Sequence, residues 1–193
     1  GLIVPLGIWV LEESCRWAKQ WVDRGQPIRV AVNLSAEQFN DPEIVSTISD
    51  TLEHIGLDAR FLEVEITESL LMNNASTTVD TLNSLHKLGV TIAIDDFGTG
   101  YSSLAYLKRF PVNKIKIDRS FINDVVDNKD DAVIVQTVIG LGHSLGLTVI
   151  AEGLETFSRP AARELLEQAR QTFDAALAHY HAGEAAEATA QLQ

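Results

Sequence analysis

Along residues 3–24 apolar side chains return every three to four positions, with Ile8, Leu11, Cys15, Ala18 and Val22 on one face and charges opposite. That period predicts a helix whose apolar side packs against a sheet, and Gly25-Gln26-Pro27 ends it. The period then falls to two. In residues 28–34 Val30 and Val32 alternate with Ala31 and Asn33, as in a strand with two distinct faces. Further strands are predicted at 61–67, 91–94, 114–118 and 148–153, separated by helices at 42–55, 79–88, 104–110 and 131–145. Strand and helix in alternation imply right-handed βαβ units, and hence a parallel sheet with helices outside it.

One face of every strand carries a polar residue near its C-terminal end. Glu63, Glu65 and Thr67 oppose Leu62, Val64 and Ile66, and Lys114, Lys116 and Asp118 oppose Ile115 and Ile117. Ala93 shares a face with Asp95, and Ile150 shares one with Glu152. The steps from Asn33 to Glu65, Asp95, Lys116 and Glu152 are each about one βαβ unit, at roughly 30 residues per unit. In a parallel barrel that face is the lumen and the site forms at the strand ends, so these residues, together with Asp96, converge. A lone acid could simply cap a turn, or the next helix in the case of Asp96. Five strands ending alike outweigh that reading. After Asp95-Asp96 comes the glycine loop Phe97-Gly98-Thr99-Gly100, and Tyr101-Ser102-Ser103 opens the next helix. Gly98, Gly100 and Ser102 are the candidates for substrate contact, and Thr99 for bracing the loop.

Three carboxylates and an amide, with neither His nor Cys among them, form a hard oxygen site suited to Mg²⁺ or Mn²⁺. His54, His86 and His143 sit in helical patterns, and His179 and His181 lie in the tail. Adjacent Asp95 and Asp96 suit two cations a few Å apart, the arrangement that activates water and stabilises the leaving oxygen in phosphodiester hydrolysis. Lys116 would add positive charge near the phosphate or orient the water; the alternative role for it is to balance nearby acids.

Composition narrows the partners. The chain has 193 residues, 46% of them hydrophobic, which suits one domain plus an appendage. Acidic residues outnumber basic ones by 27 to 15, a formal charge of −12 that leaves no basic footprint for DNA. No apolar run is long enough for a membrane span, and the single Cys15 offers neither a disulfide nor a zinc spacing, which fits a cytoplasmic setting.

VNLS at 32–35, EITES at 65–69, DDFGTGYSS at 95–103, KIDRSF at 116–121 and AEGLET at 151–156 together resemble the motif series of the EAL-domain cyclic-di-GMP phosphodiesterases. The order and spacing agree over about residues 1–156, and DDFGTGYSS followed by KIDRSF is highly specific. The resemblance implies an α/β fold, a TIM-like (β/α) barrel of the EAL type, that opens cyclic di-GMP to linear pGpG with two Mg²⁺ or Mn²⁺ ions. It also implies that Asn33, Glu65 and Asp95 ligate metal, with Asp95 bridging and Asp96 on the second ion. Glu68 would hold the loop after Asp96, Lys116 would contact the catalytic water, Glu152 would join the metal and water network, and Glu155 would support it. Partners implied are cyclic di-GMP, a second copy of the chain, and upstream sensory or cyclase domains in a parent protein.

In that family the Glu-Ala-Leu triplet lies on a strand before the helix that Gly1 enters. The expectation is therefore a partial barrel over 1–156, a piece of something longer whose own turnover is compromised. Residues 157–193 read as a helical tail, with a hairpin at 173–193 turning near Gly183 that resembles a single tetratricopeptide-type repeat. Two other functions fit less of the pattern. One is a catalytically silent relative that binds the dinucleotide or a protein partner. The other is an enolase-like enzyme, which Lys114-Ile115-Lys116 suits and paired Asp95-Asp96 before a glycine loop does not.

Overall fold

The computed structural model describes residues 1–72, 75–100, 104–123, 125 and 128–153. The chain divides into two compact units, Gly1–Lys116 and Ile117–Gln193. In the first, the opening amphipathic run folds as α1 (Ile3–Asp23), which buries Gly7, Leu11, Cys15 and Ala18. There follow β1 (Val30–Asn33), α2 (Ala36–Phe39), α3 (Ile44–Ile55), β2 (Leu62–Thr67), α4 (Glu68–Met72), α5 (Ala75–Leu88), β3 (Thr91–Phe97), α6 (Leu104–Leu107) and β4 (Lys114–Ile117). These strands lie side by side in chain order, β1 to β4, and β1 with β2 and β2 with β3 pair in parallel.

The alternation in sequence separates the two faces of this sheet. Val32, Leu62, Val64, Ile66, Ile92, Ile94 and Ile115 are at most 2% exposed and form the apolar face, and Leu11, Ile48, Leu82 and Leu85 of the helices are buried with them. Burying a side chain of that size contributes about 1.5–3 kcal/mol, so this face fixes which way every strand is turned and leaves the polar residues on the other. Among the described residues no helix is long and apolar enough to cross a membrane.

The second unit holds α7 (Arg119–Asn123), α8 (Lys129–Ser144) and β5 (Thr148–Ala151). Asn128 caps α8 by accepting from the Asp130 N–H. Beyond β5 the Glu152 N–H donates to the Ile117 carbonyl at 3.2 Å.

All five predicted strands are present among the described residues, but several boundaries differ. β3 does not stop at Ile94; it runs to Phe97, because pairing with β2 continues as far as Thr67 opposite Asp95 and Phe97 is buried. Asp95 and Asp96 are thus strand residues. β1 starts at Val30, since Ile28 stays 49% exposed. Three short helices, α2, α4 and α7, were not anticipated, since four or five residues are too few to show a period. α2 did carry a signal, a capping box in which Ser35 Oγ accepts from the Gln38 N–H and Gln38 Oε1 accepts from the Ser35 N–H. α5 begins four residues earlier than its apolar pattern, at Ala75, and α6 ends at Leu107 rather than 110. The predicted tail, including the hairpin near Gly183, lies outside the described residues.

Burial pushes the Cys15 thiol from its ordinary 9.0 up to about 11. Between those values the unfolded chain releases a proton that the native chain keeps, so this group lowers stability as pH rises from about 9 to about 11. At pH 8 we expect a thiol reagent to leave native protein unmodified and to label Cys15 at once in denaturant. Rapid labelling of the native protein would contradict this burial.

Candidate functional site

Glu63 and Glu65 are two residues apart on β2 and therefore share a face, as do Lys114 and Lys116 on β4. The parallel register sets Asn33 level with Glu65 and Ala93, and Thr67 level with Asp95. Lys116 Nζ donates to Glu65 Oε2 at 2.8 Å and lies 3.1 Å from Asp95 Oδ1. These side chains keep only 12%, 9% and 13% of their exposure. Charges so far removed from water persist only where they are paired. One ammonium therefore serves two carboxylates from different strands.

The backbone turns sharply beyond that pair. Asp96 has φ 52°, the left-handed region that Asp tolerates better than most residues, and its N–H donates to Asp95 Oδ1 at 3.1 Å. Thr99 closes the turn, its N–H and Oγ1 both donating to the Asp96 carbonyl. Asp95 and Asp96 each offer a carboxylate oxygen within 4.8 Å of the other. Two carboxylates share the ammonium of Lys116 and a third, Asp96, lies beside Asp95, an excess of negative charge in oxygen donors that suits a hard divalent cation. Asn33 stands at the exposed edge of this row on β1.

Glu68, the first residue of α4 and 1% exposed, fixes the glycine loop. Its Oε2 accepts from the Gly98 N–H at 2.8 Å and the Gly100 N–H at 3.4 Å. Gly98 has φ 101°, which a side chain would strain, and a Cβ on Gly100 would stand 3.0 Å from Glu68 Oε1. Both glycine amides thus turn toward Glu68. Replacing Glu68 by glutamine puts an amide donor against two N–H donors, so the loop should loosen by about 1–3 kcal/mol. Hydrogen exchange at Gly98 and Gly100 would then quicken by roughly 5- to 100-fold; unchanged exchange would contradict the clamp.

Glu152 belongs to the second unit, where its side chain is half-buried. Ser102 and Glu155 lie outside the described residues. One arrangement on the polar face was missed from sequence. Lys114 Nζ meets Glu63 Oε2 at 2.5 Å, with Arg29 Nη1 at 3.8 Å. The signal was there, in two acids alternating along EVEI and two lysines alternating along KIKI.

A family model described as the EAL domain matches residues 1–169. The bifunctional diguanylate cyclase/cyclic di-GMP phosphodiesterase MucR of Pseudomonas aeruginosa is 47% identical over 157 residues, 81% of this chain and 23% of MucR. The cyclic di-GMP phosphodiesterase NbdA of the same organism is 45% identical over 157 residues, 81% of this chain and 20% of NbdA. Among solved structures, the MucR phosphodiesterase in complex with c-di-GMP superposes with a TM-score of 0.83 at 45% identity, covering 88% of this chain and 68% of that one. The chain spans about a fifth of the length of the curated relatives it matches.

Proposed function

Because the chain belongs to the EAL domain family, we propose that it carries the core of a cyclic-di-GMP phosphodiesterase site, which opens the cyclic dinucleotide to linear pGpG in bacterial second-messenger signalling. The observation that supports this reading most is Lys116 held between Glu65 and Asp95, with Asp96 beside them. The donor set is oxygen only, which fits Mg²⁺ or Mn²⁺ and argues against zinc or copper. Asn33, Glu65 and Asp95 would hold one ion, and Asp95 and Asp96 a second. Such a pair, when bound, generates a nucleophilic water at neutral pH and neutralises charge on the leaving oxygen.

The chain's own residues supply position and charge. Lys116, restrained by its bonds to Glu65 and Asp95, would add positive charge near the phosphate or orient the water. Glu68 holds the 98–100 turn and Thr99 braces it, and Gly98, Gly100 and Ser102 remain the candidates for substrate contact. Glu152 takes its role from the strand-end pattern and the family resemblance, and Glu155 from the resemblance alone. The same reading proposes a cytoplasmic setting, sensory or cyclase domains alongside as the name of the longer relative MucR suggests, and a second copy of the chain as partner. A cyclic di-GMP binding titration run beside a hydrolysis assay tests this. Binding without pGpG release would favour the silent binding module instead.

A further inference from the structure

Two rows of ion pairs lie across the polar face of the first unit, and only the upper row belongs to the site just described. In the lower row Lys114 Nζ holds Glu63 Oε2 at 2.5 Å; in the upper, Lys116 Nζ holds Glu65 Oε2 at 2.8 Å and Asp95 Oδ1 at 3.1 Å. Both lysines reach across β3, which lies between β2 and β4. The rows are two residues apart along each strand, roughly 6.6 Å, a distance that a four-carbon lysine stem covers by changing rotamers.

Glu63 is a second lure for an ammonium on this face. Its side chain is 5% exposed, and its other cation, Arg29, stands 3.8 Å away with a 42% exposed side chain and its Nε committed to the Arg60 carbonyl. A carboxylate so buried demands a close counter-charge. Along the same face of β4, Lys116 follows Lys114. We propose that Lys114 is a positioning residue: by satisfying Glu63 it keeps Lys116 on Glu65 and Asp95. This rests on the phosphodiesterase reading for its effect on turnover, although the position of Lys116 does not.

The consequence has a sign that general damage to the fold would not give. Without Lys114, Lys116 retracts to Glu63, so Glu65 and Asp95 lose their ammonium and attract a divalent cation more strongly while the reaction loses its lysine. In Lys114→Met, half-saturating Mn²⁺ measured by calorimetry should fall about fivefold, and turnover by roughly 10- to 100-fold. Lys114→Arg keeps the charge on Glu63 and should leave both unchanged. The double variant Glu63→Gln with Lys114→Met removes the lure and should return both toward wild type.

Crystal structures of the two methionine variants read the mechanism directly. Lys116 Nζ on Glu63 in the single variant, and back on Glu65 and Asp95 in the double, is the expected result. Lys116 unmoved in the single variant, a rise in half-saturating Mn²⁺, or no recovery in the double would each overturn the proposal. Wild-type protein that binds no Mn²⁺ and releases no pGpG would sink the phosphodiesterase reading instead, and the crystallographic position of Lys116 would still decide this one.

Discussion

Replacing Asp95 by asparagine is expected to reduce cyclic di-GMP turnover by more than about 100-fold, since even the groups behind metal ligands cost roughly 10- to 100-fold when lost. The substitution is nearly isosteric, and the side-chain oxygen can still accept the Asp96 N–H that Oδ1 accepts now. What disappears is the charge. Lys116 keeps Glu65 as its partner, so the variant should melt within about 1 kcal/mol of wild type. Asp95 lies at the end of the pairing with β2, on the polar face rather than among the apolar residues that hold the sheet. Loss of activity without loss of fold is therefore the signature, read by turnover in Mn²⁺ and by thermal unfolding. Normal turnover would remove Asp95 from the site.

Lys116→Met should destabilise the metal-free protein by about 3–5 kcal/mol, the usual effect of removing one partner from a buried ion pair. Glu65 and Asp95, 9% and 13% exposed, would then face each other across the row without their shared ammonium. A divalent cation can replace it. Mn²⁺ binds the folded form and so raises its stability by mass action, and the shift in Tm should be larger for the variant than for wild type because the carboxylates no longer have a resident competitor. Equal shifts in the two proteins would mean that Lys116 and the cation do not share these acids. Stability and activity part company here: metal rescues the fold of Lys116→Met but not its turnover.

The period of the sequence made the strands and their faces legible because apolar side chains recur on one face, and Val32, Val64, Ile92 and Ile115 are buried as that pattern requires. It could not show where β3 ends. A strand stops where its partner stops, and Thr67 on β2 lies 28 positions away from Asp95 in the chain. The short helices α2, α4 and α7 escaped for a different reason: each is too short to show an apolar stripe, and α2 and α7 open on local side-chain caps, the Ser35–Gln38 box and the Asp118 side chain accepting from the Ser120 N–H. Candidate residues Glu65, Asp95 and Lys116 were legible one strand at a time. Their pairing was not, since Lys114 with Glu63 and Lys116 with Glu65 each join residues 51 apart, across an intervening strand.

The phosphodiesterase reading is tested most directly by chromatography of cyclic di-GMP incubated with the protein and saturating Mn²⁺. The expected result is pGpG, its release abolished by a chelator. Intact cyclic di-GMP after incubation with folded protein that binds it would contradict the assignment.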